Sequence, residues 1–347
     1  MGRWRLRWGL IGIAAVLAAG SASCTGESAP SGARSPSGAG PATTEPPPQT
    51  TFSPVDSWVP VVVGEPIDVT TLTGRIVLSS EDDVYTANAD GSHLVRVTRR
   101  PGPEFDPAWS PHGGRIVYRD SRRGINQDDE IFIVNADGTG RRNLTRDPGN
   151  DWGPDWSPDG GTIVFNSDRD GLPMGGFLVD ADGSDLRRIA TDAWVEYPAW
   201  SPDGGRIAFM GGDSASEYDI WVVDVDGSNL IRLTDSPGPD GWPAWSPDGT
   251  RVAFTSVRDD CSYSDAPDCR TTGDVGPHHD VWVVNADGTG LERVTLEFGQ
   301  FVAWSPDGDA LLVAGYDLYV IRPDGTGRSS LDVSGLAGSG LFPDWID

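Results

Sequence analysis

The sequence predicts an all-β fold, a six-bladed β-propeller closed by the C-terminal strand joining the N-terminal blade, and three observations predict it. The phrase Pro198-Ala199-Trp200-Ser201-Pro202-Asp203-Gly204 recurs with small changes from Pro107, Pro154, Pro243 and Val302, and a truncated copy stands at Pro343-Asp344-Trp345. Its tryptophans, Trp109, Trp156, Trp200, Trp245, Trp304 and Trp345, lie 47, 44, 45, 59 and 41 residues apart. An Asp-Gly pair accompanies each copy, beginning at Asp90, Asp137, Asp182, Asp226, Asp287 and Asp324. A period in the mid-forties with several short strands per unit marks a propeller blade. Helical arrays of similar period need apolar residues at helical spacing, which this chain lacks.

One repeat justifies the elements in order. Ala199-Trp200 reads as a short strand, and Pro202-Asp203-Gly204 as a turn in which proline presets φ and glycine supplies a positive one. Arg206 to Met210 follows as a second strand, and Ile220 to Asp224, rich in β-branched and aromatic residues, as a third. Asp226-Gly227 is expected to form a tight hairpin turn with positive φ at both central positions. Leu230 to Thr234 reads as the fourth strand.

The first unit begins at Gly74-Arg75-Ile76 without its tryptophan strand, and the last copy, Phe342 to Asp347, supplies only that strand. Joining them completes one blade from both termini and protects the strand edges. The propeller is therefore placed at residues 74–347.

The pattern PAWSPDG, RIAF, DIWVVDVDGSN, RLT resembles the WD40-like propeller repeat of the TolB type, over residues 74–347 in six copies. The resemblance implies partnership with envelope proteins such as peptidoglycan-associated lipoproteins.

Residues 1–23 read as a signal peptide: Arg3, Arg5 and Arg7 precede an apolar run from Trp8 to Ala19 and small residues up to Ser23. Ser21-Ala22-Ser23-Cys24 resembles the lipobox of bacterial lipoproteins, which implies a lipidated Cys24 and a membrane anchor; ordinary signal cleavage at the small residues is the alternative. Residues 24–53, mostly Ser, Pro, Gly, Ala and Thr, bury too little apolar surface to offset their ordering entropy and form a flexible tether. Residues 54–73 make a connecting segment. The chain is expected on the outer face of the cytoplasmic membrane, in the periplasm or at the cell surface.

The formal charge is −26, the wrong sign for phosphate backbones, so nucleic acid is not an expected partner. With Cys24 lipidated, Cys261 and Cys269 remain as an even pair eight residues apart, a disulfide in an oxidising compartment. They lie in an insertion, Val257 to Asp280, that accounts for the one long interval.

Aligning the copies on tryptophan gives a column at Asp106, Gly153, Tyr197, Trp242, Phe301 and Phe342, preceded by Phe105, Trp152 and Glu196, with Glu104, Asp151 and Asp240 beyond. On the strand nearest the axis, these residues should ring the mouth of the channel. Aromatic rings with acidic neighbours suit a peptide, a glycan or a cationic small molecule; packing between blades explains the same rings. Carboxylates cluster at Asp128-Asp129-Glu130, Asp168-Arg169-Asp170 and Asp259-Asp260, which calcium would favour, though without the ligand order of a calcium loop. His278-His279 are adjacent and point to opposite sides of a strand, so no metal site is assigned.

No nucleophile elbow, metalloprotease helix motif or phosphate loop occurs. The expectation is a monomeric, non-catalytic module that binds an envelope protein or peptide, or a small ligand, without a cofactor. The alternatives are a propeller lyase or hydrolase acting on polysaccharide, and a sensory or structural extracytoplasmic domain.

Overall fold

The computed structural model describes residues 64–80, 82–121, 128–171, 174–212, 218–258, 279–295, 298–333, 336 and 342–347. The chain divides after Trp58 into two units, and all described residues belong to the second. Cys24, Cys261, Cys269, His278 and Asp259-Asp260 lie outside the described residues, as do the signal and tether. Among the described residues no helix is long and apolar enough to cross a membrane.

Among the described residues, twenty-four strands form six four-stranded antiparallel sheets. In the fourth blade the order is Glu196–Trp200, Arg206–Gly211, Asp219–Asp224 and Ile231–Arg232. The middle strands are buried on both sides because each blade is covered by its neighbours, so they read as continuous apolar runs. The core lies between blades: Val117, Ile131 and Ile133 of the second pack with Trp156, Ile163 and Phe165 of the third. The outermost strands, expected to span about five residues, are reduced to exposed two-residue pairings such as Ile231–Arg232. Short edges of this kind offer little template for edge-to-edge pairing.

The repeated Ser-Pro-Asp-Gly is a self-contained turn. Ser201 Oγ accepts from the Arg206 amide at 2.9 Å and donates to Asp203 Oδ1 at 2.5 Å, which also takes the Gly205 amide at 2.9 Å. Gly204 has φ 73° and donates its amide to Ser201 O. Proline, carboxylate and glycine each fill a distinct need of that turn.

The Asp226-Gly227 hairpin differs from expectation. Of the pair, Gly227 alone is left-handed, at φ 89°, with Asn229 following at φ 53°; the Gly227 amide reaches Asp224 O at 2.8 Å, and the Asp224 amide reaches Ser228 O at 2.9 Å. This is a three-residue loop ending in a left-handed glycine, not a two-residue turn. Asp226 is held instead by accepting from the Ser228 amide and hydroxyl at 2.9 and 2.6 Å.

Ring closure is as the sequence predicts. Asp344–Ile346 pairs antiparallel with Arg75–Ser80, placing Trp345 opposite Ile76. The preceding segment runs along the sixth blade: the Ile67 amide donates to Gly327 O at 2.8 Å and Ser329 Oγ to Ile67 O at 2.7 Å. It ends beneath the closing tryptophan, whose Nε1 donates to Thr73 O at 2.9 Å.

Candidate functional site at the propeller axis

Five of the six innermost strands carry an irregularity before the tryptophan. In the second to fifth blades the ladder slips between Phe105 and Ala108, Trp152 and Asp155, Glu196 and Ala199, and Gly241 and Ala244; in the sixth it slips between Gly299 and Phe301. A bulge re-aims the side chain within it. In the first four of these it also takes a left-handed residue: Asp106 at φ 51°, Gly153 at 54°, Tyr197 at 46° and Trp242 at 51°. Glycine takes that conformation freely and aspartate tolerates it, but for tyrosine and tryptophan it is an outlier.

The six column residues, Asp106, Gly153, Tyr197, Trp242, Phe301 and Phe342, are brought together around one axial cavity of about 530 Å³. The tryptophans, prolines and alanines of the repeated phrase complete its wall. The rings touch from blade to blade: Tyr197 to Trp242 at 5.6 Å between centroids, Trp242 to Phe301 at 5.3 Å, and Phe301 to Phe342 at 3.9 Å. Gly153 interrupts the series because Tyr197 leans over it; a Cβ there would lie 3.0 Å from Tyr197 Cα.

Phe105, Trp152 and Glu196 lie behind this wall, on the other side of the pleat. Phe105 meets Phe342 edge-on at 6.2 Å and carries Arg119 over its face at 4.7 Å. Arg119 in turn pairs with Asp106 at 3.0 Å and Asp129 at 3.5 Å, and Trp152 Nε1 donates to Asp129 at 3.0 Å. Glu196 is buried and accepts from Tyr218 Oη at 2.8 Å; burial pushes its carboxyl up to about 7. Glu104, Asp151 and Asp240, expected to flank the mouth, are buried within the blades. Asp151 pairs with Arg169 at 2.8 Å and Asp240 with Arg258 at 2.6 Å.

The acidic loops have structural partners. Glu130 accepts from Thr145 Oγ1 at 2.8 Å, and Asp168 takes the amide and side chain of Asn150 at 2.6 and 2.9 Å. Among the described residues no group of three or more His, Cys, Asp or Glu side chains is placed to hold a metal ion. His279 packs between Trp242 and Phe298, at 6.1 and 5.8 Å.

Two cavity residues were missed by reading the column alone, although the signal was present. Four copies have alanine before the repeated tryptophan, whereas the copy in the third blade has Asp155 and the closing one Asp344. Asp155 accepts from the amides of Trp156 and Trp200, both at 2.8 Å, and Asp344 from those of Trp345 at 2.8 Å and Trp109 at 2.7 Å. Each carboxylate thereby clasps two neighbouring blades. Burial raises both carboxyls, Asp155 to about 7, where Asp344 adds repulsion.

The fold and these motifs have known counterparts. A family model described as TolB beta propeller domain matches residues 125–210 and 191–318. No curated protein matches the chain. Among solved structures, TolB from Acinetobacter baumannii is similar with 20% identity and a TM-score of 0.62, over 79% of this chain and 66% of that one. The putative TolB from Agrobacterium tumefaciens is 19% identical with a TM-score of 0.59, over 80% of this chain and 99% of that one. The chain spans just under two thirds of the length of the first. By repeats, topology and family match together, the chain belongs to the TolB beta propeller domain family.

Proposed function

We propose that this protein is a non-catalytic binding module of the cell envelope that receives a protein, peptide or small ligand at its axial cavity. The observation that carries the reading is the convergence of Tyr197, Trp242, Phe301 and Phe342 on that cavity. Tyr197 and Trp242 hold left-handed backbone that glycine takes at no cost, and an aromatic residue kept in a strained conformation favours a use for its ring. Likeness to TolB supports a protein-binding role in the envelope. The signal at residues 1–23, lipidation at Cys24 and the tether to residue 53 would deliver the propeller as a monomer to the outer face of the cytoplasmic membrane, the periplasm or the cell surface. A Cys261–Cys269 disulfide would fasten the insertion.

The test is capture of partners from native membranes with the wild-type chain and with Trp242→Ala. Retention of one partner by the wild type and its loss by the variant supports the reading. Equal capture by both removes the cavity from it.

A further inference from the structure

The axial cavity has walls of one electrical sign. Among the described residues its charged lining side chains are Asp106, Asp155, Asp344 and Asp347, and no basic side chain lines it. Asp106 is matched by Arg119 from behind. Asp155 and Asp344 are half-buried and take only backbone amides among the described residues.

Elsewhere the chain pairs such groups with its own arginines. Buried Asp151, Asp240 and Asp219 pair with Arg169, Arg258 and Arg232. Within the cavity wall itself, guanidinium groups lie over four of the repeated tryptophans, Trp109, Trp156, Trp245 and Trp304, at 4.5 to 4.8 Å from their centroids. The axial rings Tyr197, Trp242, Phe301 and Phe342 have no arginine over them among the described residues. Carboxylates and aromatic rings, the two partners a guanidinium takes throughout this fold, thus both line the cavity, and among the described residues Asp155, Asp344, Tyr197, Trp242, Phe301 and Phe342 have no guanidinium on them.

We propose that the axial cavity binds an organic cation, a guanidinium or ammonium on an apolar stem, between the Asp155 and Asp344 carboxylates and the faces of Tyr197 and Trp242. This rests on the binding reading above and names its ligand class. Aromatic faces attract desolvated cations, and a volume of about 530 Å³ suits a ligand of drug-like size. A bare metal ion fits less well, because each carboxylate oxygen already accepts an amide. The rest of the wall is ring, proline and alanine rather than the six or more oxygens a hard cation takes.

The same chemistry arrives on a peptide side chain or as a free polyamine, and calorimetry on the full chain in detergent at pH 8, above the raised carboxyl of Asp155, separates them. The probes are N-acetyl-arginine amide, its citrulline isostere, a tetra-arginine peptide and spermidine. Arginine amide should bind at least tenfold more tightly than citrulline. Asp155→Asn with Asp344→Asn should remove that preference, and Ala244→Asp, which adds a carboxylate at the equivalent place in the fifth blade, should increase it. Tighter binding of tetra-arginine than of spermidine supports a peptide source, and the reverse order supports a free amine. Equal affinity for arginine amide and citrulline, or an unchanged preference in the variants, overturns the proposal. Should the double variant not fold, Ala244→Asp decides. If no cation binds while partner capture still depends on Trp242, this inference falls alone; if wild type and Trp242→Ala also capture equally, the binding reading falls with it.

Discussion

Asp344 Oδ2 accepts the backbone amide of Trp109 at 2.7 Å, across 235 positions of sequence. The same residue lies in the strand that pairs with Arg75–Ser80, so it joins the closing blade to the one that follows it. In a repeat array each unit depends on its neighbours' interfaces. Deleting residues 342–347 should therefore cost far more than six residues suggest, since it removes buried Trp345 and Phe342 and exposes the Arg75 edge. Losing one buried tryptophan typically costs about 3–5 kcal/mol, a large share of the roughly 5–15 kcal/mol that holds a domain together. Thermal unfolding checks this against deletion of residues 25–51, which should leave the melting temperature nearly unchanged. A C-terminal deletion that melts like wild type would refute the importance of closure.

Gly153→Ala tests the bulge. The new Cβ would stand 3.0 Å from Tyr197 Cα and 3.1 Å from its Cδ1, on backbone at φ 54°. Strain of that kind costs about 1–2 kcal/mol before any displacement of the ring. The variant should lose at least that much stability in denaturant titration and shift the Tyr197 aromatic resonances. An unperturbed Tyr197 would show that the ring does not lean on Gly153.

The blade was legible because its signals are local. Ser-Pro-Asp-Gly closes a turn with bonds confined to Ser201–Arg206, and Asp-Gly does so within Asp224–Ser228. The cavity column was legible for the same reason, since a fixed offset from tryptophan repeats around a ring. The burial of Glu104, Asp151 and Asp240 was not, because their environment is set by cross-strand register, as where Asp240 lies opposite Ser256 and meets Arg258. The difference between Tyr197, which lines the cavity, and its chain neighbour Glu196, which does not, follows the ordinary alternation of a strand, which the column by itself did not use.

Cys24→Ala should leave the propeller folded and release it from membranes, because one acylated cysteine supplies the anchorage. Detergent partitioning of wild type and variant measures it. A wild type already found in the aqueous phase removes the lipid anchor from the proposal.

Cys261 and Cys269 should be oxidised in protein recovered from the envelope, closing a short loop worth about 2.5 kcal/mol of local order. Mass mapping of alkylated thiols reads this directly. Two freely alkylated cysteines in unreduced native protein would exclude the bridge.

The last prediction concerns pH. Burial raises the carboxyls of Glu104, Asp155 and Glu196 to about 7, each above its ordinary value near 4. Between those limits the folded chain holds protons that the unfolded chain has released, so stability falls as pH rises. The contribution is full below about pH 4 and gone above about pH 7. The exposed turn carboxylates, such as Asp203 and Asp248, are shifted the opposite way by hydroxyl and amide donors, so their contribution is lost only at lower pH, outside this window. The melting temperature should consequently be higher at pH 5 than at pH 8. Glu196→Gln, which keeps an acceptor for Tyr218, should stabilise the protein at pH 8 by on the order of 2 kcal/mol and flatten the profile. Melting curves of both proteins from pH 5 to 8 check this, and a wild type that gains stability across that range would mean that these carboxyls are ionised in the fold.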